Sequence, residues 1–422
     1  MVEAHANSVD DYLIEGLSFK LSPGASYVTN RRSVSFFPSG SDTYSPGSGV
    51  RVIKLQLNGS DWLDPSTVKL MFTLTNTSAS SSGNMTFLSG PHAFFRRYRC
   101  IINGQICEDI DDYNRVAQQM LILSSSQTRT NDAIEGAPDW DSGTAETLAH
   151  GQKKVMGMKL LSGLMNQNKM LPIKYAPITV ELEIVNNFAD AQDGADSWTI
   201  SDVQLKCDVV TLDNALDNSY AAHLLAGKSL PINYSTYISQ SQVTTQSTFS
   251  INIARAATRL KSIFMSMTGT PAGTHGTKLK EFNNFWHPMS TGSTPGAYNA
   301  ALETEIQVQI GSKLYPEYPI RSASETFSQL RKTMGIHQSP FHSLDITPIK
   351  YRDYKFIAAI DTEKVLEAGF SGQSTRDGSL LVVKVQPIDS AGMGTTKPTK
   401  FFTVLHTDNI LEIRDTGVTV FD

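Results

Sequence analysis

The side chains best able to do chemistry are scattered along this chain, and their spacing fits no catalytic or metal centre. Of the nine histidines, the two nearest in sequence are His337 and His342, which flank a loop-like Ser-Pro pair. Metal-binding histidine pairs on a helix stand at i, i+4, and those on a strand point to one face at i, i+2. We therefore predict no catalytic, cofactor-binding or metal-binding residue, and we interpret the histidines as polar loop or interface residues.

Four carboxylates cluster at the start of a predicted helix, and Cys107 stands beside them. They are Glu108, Asp109, Asp111 and Asp112. A calcium loop would repeat acids at alternate positions and end on a glycine, and that pattern is missing. Acidic residues also offset the positive end of a helix, which explains the cluster more simply. Neighbouring negative charge raises a thiol pKa, so Cys107 is not expected to act as a nucleophile.

Two groups of side chains leave alternatives open. Arginines alternate with aromatic residues at 94–99 (FFRRYR), which suits either a nucleic-acid patch or an inter-subunit salt-bridge face formed by Arg97 and Arg99. The four tryptophans fall in loop or strand-edge contexts, where exposed rings could bind sugars or anchor an interface. They are Trp62, Trp140, Trp198 and Trp286.

Periodicity predicts strands through nearly the whole chain. The run at 50–57 (VRVIKLQL) alternates, with Val50 and Val52 expected to face inward and Leu55 and Leu57 to do so only after a local shift. Asn103-Gly104 lies between two apolar runs and predicts a tight hairpin in which both residues have positive φ. One helix is predicted over 111–123, and a polar stretch at 124–152 is expected to form an exposed insertion.

The second half of the chain repeats this order about 200 residues later. The strand at 50–57 corresponds to 248–254, the hairpin at Gly104 to Gly311, the strand at 178–185 to 379–386, and the strand at 203–212 to the end of the chain. Each hairpin precedes a helix, and Ser324 is predicted to cap the second one. We predict an all-β protein of two tandem antiparallel eight-stranded jelly-roll sandwiches with a short helix in each.

This repetition predicts four segments. Residues 1–45 are an N-terminal arm, with a short helix at 9–17, 46–214 the first jelly roll, 215–232 a linker and 233–422 the second jelly roll. The arm holds five acidic and three basic residues in its first 50 positions, so we expect no direct condensation of a genome, which requires a basic surface. Three cysteines and no apolar leader indicate a reducing compartment.

The order of these segments resembles the double jelly-roll major capsid proteins of double-stranded DNA viruses, closest in character to the polinton-like virus and virophage group. The resemblance rests on residues 61–75 (DWLDPSTVKLMFTLT), 95–110 (FRRYRCIINGQICEDI), 161–185 (LSGLMNQNKMLPIKYAPITVELEIV), 282–288 (FNNFWHP) and 324–334 (SETFSQLRKTM). The resemblance lies in the order and the character of the segments over nearly the whole chain, and no short motif in it is diagnostic.

The resemblance implies a non-enzymatic major capsid protein that self-assembles as pseudo-hexameric homotrimers tiling an icosahedral shell. It would be a virion component assembled in the host cytoplasm or nucleus. Its partners would be neighbouring capsomers, penton proteins and minor or cement proteins; the sequence leaves an internal membrane open. The alternatives are a minor capsid or spike protein, a secreted-type two-domain glycan-binding β protein, or a two-domain metal enzyme of the bicupin kind, which would need clustered histidine and glutamate ligands.

Overall fold

The computed structural model describes residues 27–142, 146–270, 278–291, 298–342, 344–366, 369–376, 380–388 and 397–422. Strands dominate and fall into two groups along the chain. The first group is β1 (Val28–Phe36), β2 (Thr43–Tyr44), β3 (Val52–Leu57), β4 (Trp62–Asn76), β5 (Met85–Phe87), β6 (Phe95–Ile102), β7 (Gln105–Ile110), β8 (Thr147–Leu148), β9 (Lys153–Met158), β10 (Ile178–Ile184), β11 (Gln192–Asp193) and β12 (Trp198–Leu212). The second is β13 (Leu230–Val243), β14 (Phe249–Ile253), β15 (Leu260–Thr268), β16 (Thr304–Ile310), β17 (Lys313–Ile320), β18 (Ala358–Asp361), β19 (Leu381–Pro387), β20 (Lys400–Arg414) and β21 (Gly417–Phe421).

Both groups have the same strand order in space. The first group forms one sheet in the order β1-β12-β4-β9 and a facing sheet in the order β3-β10-β6-β7. The second forms the sheets β13-β20-β15-β18 and β14-β19-β16-β17. The eight strands of these two sheets can be numbered 1 to 8 along the chain in each half. With that numbering, both halves have one sheet in the order 1-8-3-6 and a facing sheet in the order 2-7-4-5, which is the jelly-roll arrangement. The predicted all-β fold with two jelly rolls and its internal repetition are confirmed.

Helices connect and brace the strands. They are α1 (Tyr113–Ile122), α2 (Ser126–Asp132), α3 (Asn214–Leu225), α4 (Ala323–Thr333) and α5 (Pro348–Asp353). The predicted helix after each hairpin is present as α1 and α4. The predicted cap of α4 is wrong by two residues: the hydroxyl of Ser322, not that of Ser324, accepts the N–H of Glu325 and so satisfies a donor that the helix leaves free.

The hairpin prediction is confirmed at Asn103-Gly104, whereas the predicted facing of the strand β3 is wrong at Val50 and Val52 and right at Leu55 and Leu57, which are fully buried. Asn103 has φ 47° and Gly104 φ 83°, so both central residues occupy the left-handed region that this tight turn requires. On β3, Ile53 is fully buried and Val52 is 47% exposed. Side chains two residues apart on a strand share a face, so Ile53 joins Leu55 and Leu57 on the buried face while Val52 points away from it.

Strand β1 corrects the predicted arm. Residues 28–36 pair antiparallel along β12, so they belong to the first sandwich and not to an arm ending at residue 45. Their polar sequence, VTNRRSVSF, is exposed at most positions, and the alternation that marks a half-buried strand is therefore weak. Residues 1–26, including the helix predicted at 9–17, lie outside the described part of the chain. Strand β13 likewise begins at Leu230, inside the range 215–232 predicted as a linker; the wider division into domains stays a prediction.

The stretch at 124–152 is only partly the exposed insertion that its polarity predicts. Its first half is mainly exposed and includes α2, but Gly136 and Ala137 are buried. Leu148 is 6% exposed in the short strand β8, which pairs with β5. Residues 136–141 are buried or half-buried, and Asp141 pairs with Lys355 of the second half of the chain, a contact that composition does not reveal.

The facing of β3 generates a test by two adjacent substitutions. Ile53→Ala removes a fully buried side chain, and we expect a loss of about 2–5 kcal/mol in the free energy of unfolding. Val52→Ala, one residue earlier on the other face, is expected to change it by less than about 0.5 kcal/mol. Denaturant unfolding of the two variants would measure this. Equal losses would contradict the facing described here.

The junction between the jelly rolls as a candidate assembly interface

Arg115 joins the first jelly roll to the second through a buried set of hydrogen bonds. It projects from the first turn of α1 and is 2% exposed. Its Nη1 donates to the carbonyl oxygens of Glu281 and, at 3.2 Å, Asn284. Its Nη2 donates to Ser266 Oγ at 3.1 Å and to the carbonyl oxygen of Met267 at 3.4 Å. One side chain of the first sandwich thus satisfies four acceptors in the second.

Aromatic rings enclose the same guanidinium. Its central carbon lies 3.8 Å from the ring centroid of Phe402 and 4.4 Å from that of Phe285. Arginine is suited to this place because its flat, delocalised charge stacks on ring faces while its edge donates. Burial lowers the pKa of Arg115 to about 9, so the side chain is still charged at neutral pH. A buried charge of this kind keeps its stabilising effect only while its partners stay in register.

A second contact joins β7 to β13. The Tyr234 hydroxyl donates to the carbonyl oxygen of Cys107 at 2.8 Å, and the Ser239 hydroxyl donates to the carbonyl oxygen of Asp111. Gly163 also lies directly against β13: a Cβ built on it would stand 1.7 Å from the carbonyl oxygen of Ser235. Only glycine permits this approach, so the backbones of the two sandwiches meet here without intervening side chains.

Glu108 stabilises the segment around Gly163 that contacts β13. It is 2% exposed, and its carboxylate accepts from the Ser162 hydroxyl and, at 2.8 Å, from the Gly163 N–H. Burial raises the pKa of Glu108. The carboxylate therefore holds the segment that carries Gly163 in place. Glu108, one of the four acids of the cluster seen in the sequence, thus has a structural role.

A third contact is an ion cluster. Lys355 lies 2.8 Å from Asp141 and 3.7 Å from Asp139, and the Tyr354 hydroxyl donates to Asp141 at 2.5 Å. The rings of Trp140 and Tyr354 stack with centroids 5.7 Å apart. These aspartates follow α2, so residues 139–141 of the predicted insertion contact the second jelly roll.

The arginines and acids predicted from the sequence pair inside this chain. Arg97 binds Asp109 at 2.7 Å and Asp111 at 3.1 Å, and Arg99 approaches Asp109 at 3.3 Å. Arg97 and Arg99 thus pair within one sandwich, and the inter-subunit salt-bridge face considered for them stays a prediction. Across the described residues no group of three histidines, cysteines or acids could hold a metal ion.

The cysteines and several histidines are core residues. Burial raises the pKa of Cys107 and Cys207 to about 12, and it raises that of Cys100. The expected raised pKa of Cys107 is confirmed, although burial contributes more than the neighbouring acids. The interpretation of all histidines as loop residues is wrong for the three that lie in or beside the cores, and burial lowers the pKa of each. They are His92 at about 4, His287 at about 3 and His406 at about 4.

Tryptophans also pack inward. Trp62 and Trp198 do lie at strand ends, as the first residues of β4 and β12. Their rings are nevertheless not exposed: Trp198 and Trp286 are fully buried and Trp62 is 6% exposed. Trp62 packs on Tyr220 of α3 with ring centroids 4.9 Å apart. Three of the four rings are thus unavailable for stacking on a sugar, and the glycan-binding alternative loses its main sequence support.

Beside Arg115 a polar cleft of about 360 Å³ opens between the sandwiches. Its walls carry both signs of charge, including Lys400 and Glu281, which pair at 2.6 Å. The charged residues of the lining are Arg96, Asp112, Arg115, Asp190, Lys280, Glu281 and Lys400. Four cations facing three anions produce little net field, so the cleft does not single out an anionic or cationic ligand.

No helix in the described parts of the chain has the length and apolar character needed to cross a membrane.

No family model and no curated protein sequence matches this chain. Several solved structures, however, match this chain in fold. VP54 of PBCV-1, in a crystal structure fitted into a reconstruction of the virophage Sputnik, aligns over 95% of this chain and 98% of its own, with TM-score 0.62 and 13% identity. A chain of the PBCV-1 virus capsid aligns over the same shares with TM-score 0.62 and 14% identity. The Faustovirus major capsid protein aligns over 97% of this chain and 94% of its own, with TM-score 0.55 and 8% identity.

These alignments span both sandwiches and the junction between them. The fold class of this chain is therefore the double jelly roll found in those capsid proteins. At such low identity the likeness concerns the fold, and the activity has to be argued from the residues of this chain.

Removal of Arg115 tests whether the junction depends on it. Arg115→Met keeps the length of the side chain but leaves buried carbonyl groups without a donor, at about 1–3 kcal/mol each. We expect thermal unfolding by calorimetry to show a lower midpoint and two separated transitions. Arg96→Met, an exposed arginine on the same cleft, is the matched control and should change the midpoint little. A single unshifted transition in Arg115→Met would contradict this role.

Acid should destabilise the fold through its buried histidines. The folded protein keeps His287 neutral because its pKa is about 3, whereas an unfolded histidine binds a proton near pH 6.5. Stability therefore falls as the pH drops from about 6.5, by about 1.4 kcal/mol per pH unit for each such histidine. His287→Asn, which keeps an acceptor for the Met289 N–H, should flatten the slope by that amount in denaturant titrations at pH 7 to 5.

Proposed function

We propose that this chain is the major capsid protein of a virus with an icosahedral shell. It assembles as homotrimers, in which six jelly rolls form one pseudo-hexameric capsomer. The observation that carries the proposal is the pair of identically ordered jelly rolls fixed to each other by the buried Arg115 junction. Two similar blocks in one chain let a threefold assembly occupy a place with sixfold outline, and closed symmetry satisfies every interface in turn.

The shared fold supports the same function. The PBCV-1 virus capsid chain and the Faustovirus major capsid protein match nearly the full length of this chain, so the likeness covers both sandwiches. Its titratable residues support a structural role. Buried thiols with raised pKa are poor nucleophiles, and the charged groups at the junction pair with each other. We propose no enzymatic activity, cofactor or metal.

The protein would reside in the virion after assembly in the host cytoplasm or nucleus. Its first partner is another copy of itself, followed by neighbouring capsomers, penton proteins and minor or cement proteins. The acidic balance of its N-terminal residues supports a shell component that leaves genome condensation to other proteins.

Light scattering and electron microscopy of the purified full-length protein test the proposal. We expect particles of three times the chain mass with a hexagonal outline. A protein that remains monomeric at all concentrations would refute it. The copy number in purified virions separates the major protein from a minor capsid or spike protein, since the major protein should be the most abundant chain of the shell.

A further inference from the structure

Lys355 and Asp139 place an amine beside a buried carboxyl group at the junction between the jelly rolls. The side-chain nitrogen of Lys355 lies 3.7 Å from Oδ2 of Asp139, and the two side chains are only 8% and 9% exposed. Lysine and aspartate are rarely buried to this extent. An amine and a carboxyl group that are shielded from water at this distance are the two halves of an amide bond, which needs no further reagent.

The backbone around each of the two side chains is held by a different jelly roll. On the way to Asp139, the carbonyl oxygen of Glu135 accepts the N–H of Gly157 in β9 at 2.6 Å. Lys355 forms a backbone bridge with Phe285 of the second sandwich. Because the fold holds both groups in place, the entropic cost of bringing them together is already met. A bond between them would join the two sandwiches covalently.

A second carboxylate, that of Asp141, is placed to move protons. Its Oδ2 lies 2.8 Å from the side-chain nitrogen of Lys355, and its Oδ1 accepts from the Tyr354 hydroxyl at 2.5 Å. Burial alone would raise the pKa of Asp141, but the charge of Lys355 and the hydrogen bonds to this carboxylate outweigh burial and lower it. Asp141 is therefore ionised at neutral pH and able to accept a proton from the ammonium group.

Asp139 has the opposite character, which suits the group that is attacked. Burial raises the pKa of Asp139, so its surroundings favour the neutral acid, the form to which an amine can add. Its Oδ1 is buried and has no hydrogen-bond partner among the described residues. Two carboxyl groups whose surroundings push their pKa values apart are suited to opposite roles in one reaction.

We propose that Lys355 and Asp139 join in an intramolecular isopeptide bond. Asp141 takes a proton from the ammonium group, and the free amine attacks Cγ of the neutral Asp139, which forms the N–Cγ bond. Asp141 then gives its proton to the departing hydroxyl, the Cγ–O bond breaks and one water leaves. The remaining extra proton on nitrogen passes to Asp141 and from there to solvent. Nothing is oxidised or reduced.

The bond would act beside Arg115 at the same junction. An ion pair stabilises a buried contact only while its geometry is kept, whereas an amide bond remains when the chain is heated or denatured. The buried Oδ1 that lacks a partner would be replaced by an uncharged amide group, which is less costly to bury than a charge. This inference concerns the chain itself and does not depend on the proposed capsid role.

Mass spectrometry of the full-length wild-type protein tests the bond. Measured in denaturant, the chain should be lighter than its sequence requires by the mass of one water. Trypsin should release a branched peptide in which residues 130–153 are joined to residues 353–364 through an uncleaved Lys355. A chain of full mass would overturn the proposal, and so would a missing water that maps to any other place.

Matched variants identify the reacting groups. Lys355→Arg keeps the positive charge without the amine, and Asp139→Ala removes the carboxyl group, so both should have full mass. Lys350→Arg is the control, because Lys350 also lies 2.8 Å from Asp141 but is not the proposed amine; it should still lose one water.

Asp141→Asn tests the proton transfer. It keeps the shape of the side chain but cannot accept the proton, and loss of a general base slows a step by about a hundredfold or more. Most of the freshly purified variant should therefore be unbonded, whereas the wild-type chain is bonded. A missing water that persists in Lys355→Arg would overturn the proposal. The wild-type mass decides the question even where a variant fails to fold.

Discussion

The burial of one arginine between two sandwiches is the constraint on which this molecule depends. A guanidinium removed from water is costly unless its donors find acceptors. The two Nη groups of Arg115 donate to a hydroxyl and three backbone carbonyls of the second jelly roll, its Nε has no hydrogen-bond partner among the described residues, and the rings of Phe285 and Phe402 lie against the guanidinium. Three of the four acceptors are backbone groups, so they hold the two sandwiches in one relative position. A looser, apolar contact would exclude water equally well but would tolerate sliding.

A fixed relation between two equal blocks has a consequence for assembly. Because both halves share one strand order, whatever geometry holds the first roll against the second can be repeated between the second roll and the next chain. In the proposed trimer, six blocks of one fold would then fill a ring of sixfold outline.

Little of the reactive chemistry in the sequence remains accessible. The three thiols are buried, three histidines lie where the charged form is disfavoured, and Glu108 anchors a backbone approach. The acids and arginines near the hairpin neutralise each other within one sandwich. Polar groups here make structural hydrogen bonds, and the molecule gains rigidity from groups that an enzyme would keep free. That distribution is consistent with a shell component.

The sequence by itself determined what depends on local spacing. Alternation and Asn103-Gly104 defined strands and a hairpin, because turn geometry and strand pleat involve residues close in sequence. The repeat near 200 residues led from there to two jelly rolls. Only the tertiary structure decided the rest. Arg115 sits in an ordinary amphipathic helix, and its acceptors lie 151 to 169 residues further along; β1 looks like a polar arm until β12 pairs with it. Whether Arg115 is buried and whether β1 forms a strand both depend on parts of the chain that are distant in sequence. A local sequence pattern carries no information about the positions of those parts.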